Sequence, residues 1–337
     1  MHFLVTGHTG FKGTWLIYFL KELGHEVSGI SLDPLKDSLF TSTNASELLK
    51  NDLRIDIRNA NELSQNIEKL NPDVLMHLAA QPLVRKSYLD PRETIETNAI
   101  GTFNVLEAAS KVKNLKANLI ITTDKVYKNV NQIEGYVETD PLGGEDPYSA
   151  SKAMADLVTQ SFVKSFKLAP TAIARAGNVI GGGDVSQDRL IPDLIKGFEK
   201  SETVNIRYPN AVRPWQHVLD CLNGYIVLAE NVLSRNLQSE WNFGPDKNSF
   251  KTVKEVADFL KNQWGEKADW KVQDTSDLAE AELLSLDATK AQRELGWKNK
   301  LNFEQTLMWT LNWHKQVLSG ENPREVTRKQ ILEFMKL

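Results

Sequence analysis

The first half of the chain alternates short apolar runs rich in β-forming residues with segments of helical periodicity. The runs FLVTG, EVSGISL, LRIDI, DVLMHLA and ANLIITT are separated by segments such as FKGTWLIYFLKELG and NELSQNIEKLN. This alternation predicts parallel strands joined by helices. Near-continuous apolar strands suit a sheet covered on both faces. With right-handed crossovers, the sequence therefore predicts an α/β fold with a doubly wound parallel sheet.

The pattern changes after residue 179. The second half contains short strands, a triple glycine and three helical segments, at residues 181–183, 191–200, 253–264 and 303–318. We predict a Rossmann-type dinucleotide-binding domain over residues 1–179 and a smaller mixed α/β substrate domain over residues 180–337. The segment 217–245 is expected to return to the first domain, which makes the second one discontinuous.

Composition limits the partners and the compartment. The 337 residues carry a net charge of -4 at pH 7 with a pI near 6.0, so we expect no nucleic-acid partner. Cys221 is the single cysteine, which precludes an internal disulfide and is expected to be a small buried filler. The apolar runs fall short of the ~18 residues that span a membrane, and the N-terminus enters a strand. We expect a soluble, cytoplasmic protein without a membrane partner or a metal.

The segment GHTGFKG, residues 7–13, joins the first predicted strand to the first predicted helix. Gly7, Gly10 and Gly13 permit a tight turn, close approach to a pyrophosphate and packing of the helix on the sheet. The spacing is GxxGxxG rather than GxGxxG, so a simple helix-capping loop is the alternative. The same turn contains the other predicted cofactor-binding residues Thr9, Phe11 and Lys12.

Asp33 ends the second predicted strand. A carboxylate there can accept hydrogen bonds from an adenosine ribose and would repel a 2′-phosphate, which favours NAD over NADP. The alternative is a turn residue before Pro34. Other carboxyl ends of parallel strands should also line the cofactor, and they carry Asp56, Ile57, Leu78, Ala79, Ala80 and Gln81.

Tyr148 and Lys152 form a YxxxK pair one helical turn apart, with the phenol and the ammonium on one face. Together with the glycine turn, LAAQ, TNAIGT and TTDK in that order, the pair resembles the extended short-chain dehydrogenase/reductase family over nearly the whole chain. The resemblance implies that Tyr148 removes a hydroxyl proton as hydride leaves for NAD and that Asn98 of TNAIGT lies at the cofactor. Lys152 and the positive nicotinamide would both favour the phenolate. An exposed tyrosine with an i,i+4 cation is the alternative.

Further segments narrow the resemblance to the sugar-nucleotide 4,6-dehydratases: HTGFKG, AAQPLVRKSY, TTDKVY, GGEDPYSASK, RAGNVIGGGD, DRLIPDLI, VRPWQHV and WNFGP. Members that act on dTDP-glucose place glutamate after the aspartate, whereas Lys125 resembles the branch that acts on CDP-glucose. The implied reaction oxidises C4, eliminates water across C5 and C6, and returns hydride to C6. Its product is a 4-keto-6-deoxy sugar nucleotide for deoxysugar biosynthesis.

The resemblance also implies roles for TTDK. Thr123 would hydrogen-bond the C4 oxygen, Asp124 would be the acid for the departing C6 hydroxyl, and Lys125 would take the position of the C5 base. Lys125 must lose its proton to act as that base. The alternatives are a lysine that orients the sugar or stabilises enolate charge, and a solvated loop lysine.

The second half of the chain is expected to hold most of the sugar nucleotide. Arginine forks suit a diphosphate, and Arg213 in VRPWQHV resembles the phosphate-binding arginine of the family. Arg175 and Arg207 lie in or near predicted strands, where each could instead be a structural ion-pair partner. The predicted substrate-binding residues are Ser87, Asn178, Arg189, Leu190, Arg207, Arg213 and His217.

Two other functions fit the same scaffold. A dehydratase or an epimerase could act on a GDP-, UDP- or dTDP-linked sugar, although a simple 4-epimerase needs no acid and base at C5 and C6. A catalytically silent NAD-binding regulator would not need intact Tyr148 and Lys152. The resemblance further implies a homodimer, or a tetramer, built through a four-helix bundle of helices near residues 93–111 and 148–166.

Overall fold

A computed structural model describes residues 1–132, 134–273 and 284–337. Its strands are β1 (His2–Thr6), β2 (Glu26–Ser31), β3 (Asn51–Arg54), β4 (Val74–His77), β5 (Ala117–Ile121), β6 (Thr171–Ala176), β7 (Val179–Ile180), β8 (Thr203–Ile206), β9 (Val212–Pro214), β10 (Gln216–His217), β11 (Glu240–Phe243), β12 (Phe250–Thr252) and β13 (Asp269–Val272).

The helices of the described residues are α1 (Phe11–Glu22), α2 (Leu39–Ser42), α3 (Ala60–Leu70), α4 (Val84–Leu89), α5 (Pro91–Ile95), α6 (Gly101–Ser110), α7 (Pro147–Ser165), α8 (Leu190–Glu199), α9 (Val218–Arg235), α10 (Val253–Trp264), α11 (Thr289–Leu295), α12 (Phe303–Leu318) and α13 (Pro323–Lys336). Short 3₁₀ turns lie at Ala45–Leu48, Asp124–Val126 and Lys247–Ser249, and a π-helical turn lies at Glu96–Ile100.

One seven-stranded sheet organises the molecule, with the strand order β11-β6-β5-β4-β1-β2-β3. β1 pairs in parallel with both β2 and β4, so the strand order reverses there. The predicted doubly wound parallel sheet is confirmed. In sheets of this kind, ligands bind outside the carboxyl ends of the strands at the point of reversal.

Alternate residues of β1 face opposite sides of the sheet. Phe3 and Val5 belong to an apolar core that includes buried residues of α1 and α9. Leu4 instead packs with buried residues of α3 and α6 on the other side. Helices therefore cover both faces, which explains why the strands are apolar almost without interruption.

The later part of the chain has a second apolar core around Trp215, with buried residues from α8, α10 and α12. The short pairs β12-β9 and β13-β8 accompany it. β11, by contrast, extends the large sheet beside β6. The C-terminal helix α13 packs on α1, where the rings of Phe334 and Phe19 meet edge to face at 6.1 Å.

Cys221 lies in α9 and is fully buried, in keeping with a filler role. Its thiol faces the first core together with Leu222 and Tyr225. Across the described ranges, none of the helices combines the length and the apolar character needed to cross a membrane.

Candidate active site

The glycine turn, residues 7–13, lies against the end of β4. Gly7 has a φ of +74°, and a Cβ at this position would lie 2.6 Å from the Ala79 nitrogen. A Cβ at Gly13 would lie 2.3 Å from the Gly7 carbonyl oxygen. Both positions therefore require glycine, because neither backbone neighbour can move without displacing a strand end.

The N-terminus of α1 opens from the glycine turn. Gly10 is the N-cap, and Phe11 and Lys12 begin the first helical turn. Peptide N–H groups and the positive end of the helix dipole make this a site for a phosphate group. Thr9 is fixed to the end of β2, since its Oγ1 lies 2.8 Å from Ser31 Oγ. The arrangement fits the pyrophosphate of a dinucleotide.

Asp33 follows β2 and exposes 90% of its side chain. Its Oδ1 lies 3.4 Å from Arg54 Nε, and Arg54 also donates from Nη2 to Asp52 at 3.0 Å. Asp52 in turn lies 2.7 Å from Nε2 of His8 in the glycine turn. An accessible carboxylate thus lies where a ribose-binding acid is expected, with an arginine beside it.

The other predicted cofactor residues follow β3 and β4. Asp56 is held by Arg58, whose Nη2 donates to Oδ2 at 2.6 Å. Ile57 is buried, and its side chain fills the space in which a Cβ at Gly101 would lie. The half-buried residues after β4, beside the glycine turn, are Leu78, Ala79 and Ala80.

Asn98 is fully buried in the π-helical turn. Its Oδ1 accepts the Gln81 N–H at 2.7 Å, and its Nδ2 donates to the Gln81 carbonyl at 3.1 Å and to Ser151 Oγ at 2.9 Å. Ser151 lies on α7 between Tyr148 and Lys152. Asn98 therefore ties the loop after β4 to the helix that carries the YxxxK pair.

The TDK turn, residues 123–125, follows β5. Thr123 Oγ1 donates to Asp124 Oδ1 at 2.8 Å and accepts the Lys125 N–H at 3.4 Å. Thr123 and Asp124 are buried, whereas Lys125 is half-buried. Gly177 leaves room for this turn, because a Cβ there would lie 3.0 Å from Asp124 Oδ2.

α7 begins at the sequence DPYS, which combines an N-cap acid with proline at the first helical position. The Asp146 carboxylate accepts the Ser149 N–H at 2.9 Å, and Pro147 starts the helix. The Tyr148 N–H donates to Ser87 Oγ at 3.2 Å. These contacts fix Tyr148 in the first turn of α7.

Lys152 is anchored to the strand that ends at the TDK turn, since its Nζ donates to the Ile121 carbonyl at 2.9 Å. Burial lowers the pKa of Lys152 to about 8, and the nearby charge of Lys12 adds to this lowering. A lysine in this range changes its charge close to neutral pH, as acid–base groups at active sites often do.

Burial raises the pKa of Tyr148 to about 12, against the effect of a hydrogen bond with the Thr123 side chain. At pH 7 such a pKa leaves on the order of 10⁻⁵ of the phenol ionised. Lys152, which is predicted to favour the phenolate, donates to a backbone carbonyl. Burial therefore opposes ionisation of Tyr148, and an added positive charge at the site would favour it.

Burial also raises the pKa of the Asp124 carboxyl, although the charges of Lys125 and Arg213 and a hydrogen bond from Thr123 oppose the rise. A raised pKa favours the protonated form of this carboxyl, the form that can donate a proton. When ionised, Asp124 also raises the pKa of Tyr148. The proposed acid and the YxxxK tyrosine therefore share one buried space.

Arg189 and Arg213 approach this space from the second half of the chain. The charge of Arg189 acts on Tyr148, and that of Arg213 acts on Asp124. Arg189 immediately precedes α8, and its Nη1 lies 3.6 Å from Asp184 Oδ2. Arg213 lies on β9 and is buried.

Four cations lie near the buried carboxyl of Asp124, namely Lys12, Lys152, Arg189 and Arg213. Two further buried carboxylates are nearby, Asp184 beside Arg189 and Asp156 close to Lys152. Within the described ranges, no group of three or more His, Cys, Asp or Glu side chains is placed to hold a metal ion. The charge pattern suits an organic anion such as a diphosphate.

Arg207 takes part in an exposed bridge across the two halves. Asp188 Oδ1 lies 2.9 Å from Arg85 Nη1, on α4, and 3.3 Å from Arg207 Nη1. Asn178, between β6 and β7, accepts the Gln216 N–H with its carbonyl at 3.3 Å. Both predicted substrate residues thus lie along the boundary of the two halves.

The remaining predicted substrate residues make framework contacts. Ser87 is fully buried, and its Oγ donates to the Val84 carbonyl at 2.6 Å. Leu190 packs against the second core. His217 is a fully buried N-cap of α9, with Nδ1 accepting the Leu219 N–H at 3.3 Å. Burial lowers the pKa of His217 to about 3, so its ring is neutral.

Arg175 forms a buried ion pair with Asp156 at 2.8 Å, which favours the structural alternative for this arginine. The sequence analysis did not identify Asp156. Its signal was present, because Tyr148, Lys152 and Asp156 follow one another at four-residue spacing on α7 and so share a face.

The chain is similar to enzymes that act on nucleotide sugars. The GDP-mannose 4,6 dehydratase family model matches residues 4–310. A CDP-glucose 4,6-dehydratase of Salmonella typhimurium is 43% identical over 342 residues, covering 98% of this chain and 95% of that protein.

Two solved structures are similar over almost the whole chain. UDP-glucuronic acid 4-epimerase of Bacillus cereus, in complex with UDP-glucuronic acid and NAD, has a TM-score of 0.82 at 25% identity and covers 94% of this chain and 100% of that one. DesIV, a dTDP-glucose 4,6-dehydratase of Streptomyces venezuelae with NAD and TYD bound, has a TM-score of 0.83 at 24% identity, covering 96% and 100%. The second likeness concerns the fold alone.

Proposed function

The chain belongs to the GDP-mannose 4,6-dehydratase family, within the extended short-chain dehydrogenases/reductases, and from that membership we propose that it converts CDP-glucose into CDP-4-keto-6-deoxyglucose and water. One observation favours a dehydration over a simple oxidation or epimerisation. The buried carboxyl of Asp124 lies near Tyr148, and Lys125 follows it in the same turn with its charge acting on Asp124. Oxidation at C4 needs only the YxxxK pair, whereas elimination across C5 and C6 needs a second acid and base.

The glycine turn would hold the pyrophosphate of NAD, and Asp33 would hold the adenosine ribose. Bound NAD supplies the acceptor of the C4 hydride, the donor that returns this hydride to C6, and a positive charge at the site. In the first step Tyr148 would take the C4 hydroxyl proton, while Thr123 hydrogen-bonds the same oxygen. Lys152 adds to the positive potential around the phenol.

The elimination step would use the TDK turn. Once C4 is a ketone, the C5 proton becomes acidic, and Lys125 is the proposed base that removes it. Asp124 would give its proton to the departing C6 hydroxyl, which the raised pKa of this buried carboxyl favours. Arg189 and Arg213 would bind the diphosphate, since both lie on the side of the second half.

We also place the enzyme in the cytoplasm. Cys221 is a buried free thiol, which suits a reducing compartment.

The substrate assignment predicts turnover of CDP-glucose in preference to dTDP-, UDP- and GDP-glucose. Purified protein with NAD should convert CDP-glucose to a 4-keto sugar, measured by its absorbance in alkali. If another nucleotide-glucose gave a higher kcat/KM, the enzyme would be specific for a different nucleotide base than cytosine. Failure with all four, together with intact NAD binding, would favour the regulator instead.

The Asp33 carboxylate predicts that NAD binds more tightly than NADP, because a 2′-phosphate there meets repulsion and loses a hydrogen bond. Asp33→Asn removes the repulsion and keeps Arg54, which stays paired with Asp52, near the 2′-phosphate. This variant should therefore reduce the difference in affinity between NAD and NADP. Titration of cofactor-stripped protein with each dinucleotide measures both affinities. Equal affinities in the wild type would contradict the role of Asp33.

Lys125→Ala is predicted to stop the reaction after C4 oxidation. The variant should bind CDP-glucose and reduce its bound NAD through intact Tyr148, with turnover falling by ~10²–10⁴ as for loss of a general base. Reduced cofactor should accumulate, measured by its absorbance, and solvent deuterium should enter C5 slowly or not at all.

Two control variants are compared with Lys125→Ala. Lys128→Ala removes an exposed lysine three residues further along and should behave as wild type. Tyr148→Phe should block reduction of the cofactor itself. If Lys125→Ala exchanges the C5 proton at the wild-type rate, the base lies elsewhere and Lys125 only orients the sugar or stabilises its enolate.

We further propose a homodimer that forms through α6 and α7. Large apolar side chains on these helices and on the adjoining π-helical turn are exposed, namely Ile100 at 50%, Phe103 at 41%, Met154 at 40% and Leu157 at 52%. The two helices already touch, since the Phe103 ring meets Phe162 edge to face at 5.3 Å. Pairing this patch with its copy would bury it in a four-helix bundle.

Leu157→Arg should weaken this dimer, because it places a charge in the apolar patch. Light scattering at micromolar concentration should give a dimer for the wild type and a smaller mean mass for the variant. Leu318→Arg is the matched control, since Leu318 is 51% exposed but lies on α12, away from the patch. A monomeric wild type, or equal effects of the two variants, would contradict the interface.

A further inference from the structure

Asp156 lies on the same face of α7 as Tyr148 and Lys152, one helical turn beyond the lysine. Its side chain is completely buried. No step of the proposed reaction uses this carboxylate, although it lies close enough to Lys152 for the two charges to interact. A buried carboxylate on α7 therefore requires a positive partner, and its place beside Lys152 calls for an explanation.

The partner is Arg175, which reaches Asp156 from β6 through two parallel hydrogen bonds. Arg175 Nε donates to Asp156 Oδ2 at 2.8 Å, and Nη2 donates to Oδ1 at 2.8 Å. The side chains expose 1% and 0% of their surfaces. Bidentate geometry of this kind fixes the orientation of both groups as well as their distance.

The same pair contacts both flanks of the TDK turn. On the upstream side, Thr122 Oγ1 donates to Asp156 Oδ2 at 3.1 Å. On the downstream side, Arg175 Nη1 donates to the Tyr127 hydroxyl at 2.8 Å. The chain between these two contacts carries all three residues of the turn.

Further buried contacts hold Tyr127 in place. Its hydroxyl donates to Asn242 Oδ1 on β11 at 2.8 Å, and its ring stacks on Tyr136 with a centroid distance of 5.2 Å. The Arg175 guanidinium lies 5.0 Å from the centre of the Tyr127 ring. Movement of the downstream flank would break several buried contacts at once.

We propose that the Arg175–Asp156 pair positions the TDK turn relative to α7, and so sets the geometry of the elimination step. This inference rests on the proposed dehydratase function. Both residues are positioning residues, because they act through Thr122 and Tyr127 and not on the substrate.

The elimination should depend on the pair more strongly than the oxidation does. Lys152 is fixed independently by the Ile121 carbonyl, and Tyr148 by Ser87 at the start of α7. Asp124 and Lys125, which serve only the elimination, follow the position of their turn, whereas the oxidation uses only Thr123 from it. A displacement of about 1 Å can cost on the order of 10²-fold when two groups must meet in one geometry.

The test uses the flanks, because removing either member of the pair would leave an uncompensated buried charge and endanger folding. Thr122→Val deletes one hydrogen bond to the pair and keeps the size of the side chain. Tyr127→Phe deletes the bond from Arg175 and, with it, the bond from the Tyr127 hydroxyl to Asn242 Oδ1. In both, solvent deuterium exchange at C5 should slow on the order of 10-fold to 10²-fold. Cofactor reduction by CDP-glucose should slow less than C5 exchange, because the oxidation uses only Thr123 from the turn, and reduced cofactor should accumulate.

Two controls separate positioning from stability. Thr122→Ser keeps the hydroxyl and should restore C5 exchange. Gln160→Leu deletes a contact to the pair that does not involve the turn, the 2.9 Å bond from Gln160 Nε2 to Asp156 Oδ1, and should leave every step unchanged. Thermal unfolding of all four variants, with rates measured well below each midpoint, shows whether any loss follows stability.

The outcomes are distinct. Selective slowing of C5 exchange in Tyr127→Phe and Thr122→Val supports the proposal. Wild-type exchange in both variants overturns it, as does equal slowing of oxidation and elimination. A wild type that forms no 4-keto product from CDP-glucose refutes the proposed function, and that result is independent of the variants.

Discussion

Parallel pairing of the strands is the constraint from which the rest of the molecule follows. Because the seven strands run in one direction, every loop that follows a strand emerges at the same edge of the sheet. The glycine turn after β1, Asp33 after β2, Ala79 after β4 and the TDK turn after β5 are thereby brought together. The fit is tight, as the 2.6 Å that a Cβ at Gly7 would leave to the Ala79 nitrogen shows.

Burial at this edge acts on two groups in the same direction but with opposite consequences for the proposed chemistry. It raises the pKa of Asp124, which helps a carboxyl that must donate a proton. It also raises the pKa of Tyr148 to about 12, which hinders a phenol that must accept one. Burial alone thus opposes the proposed role of Tyr148 as a base, and a positive charge bound nearby would favour that role.

The features of the fold that the sequence predicts come mostly from local patterns along the chain. The strand and helix periods gave the sheet, and glycine spacing identified the first turn, because both reflect neighbours along the chain. Long-range contacts were not predictable in this way. Asn98 meets Ser151, and Tyr127 meets Asn242, across 53 and 115 residues. Nor does a motif reveal that Lys152 binds a carbonyl or that His217 caps a helix, since both depend on how separate elements pack.

The proposed acid and base groups and the two arginines of the second half lie on different parts of the fold. The 19-residue helix α7 carries Tyr148 and Lys152, and the large sheet carries the TDK turn. Arg189 and Arg213 are carried by the elements around the second core. Substitutions in the second core would therefore reach the sheet edge through these two arginines, whose charges act on Tyr148 and Asp124. A lineage that changed the ligand it accepts by altering this core would also retune the proposed acid and base.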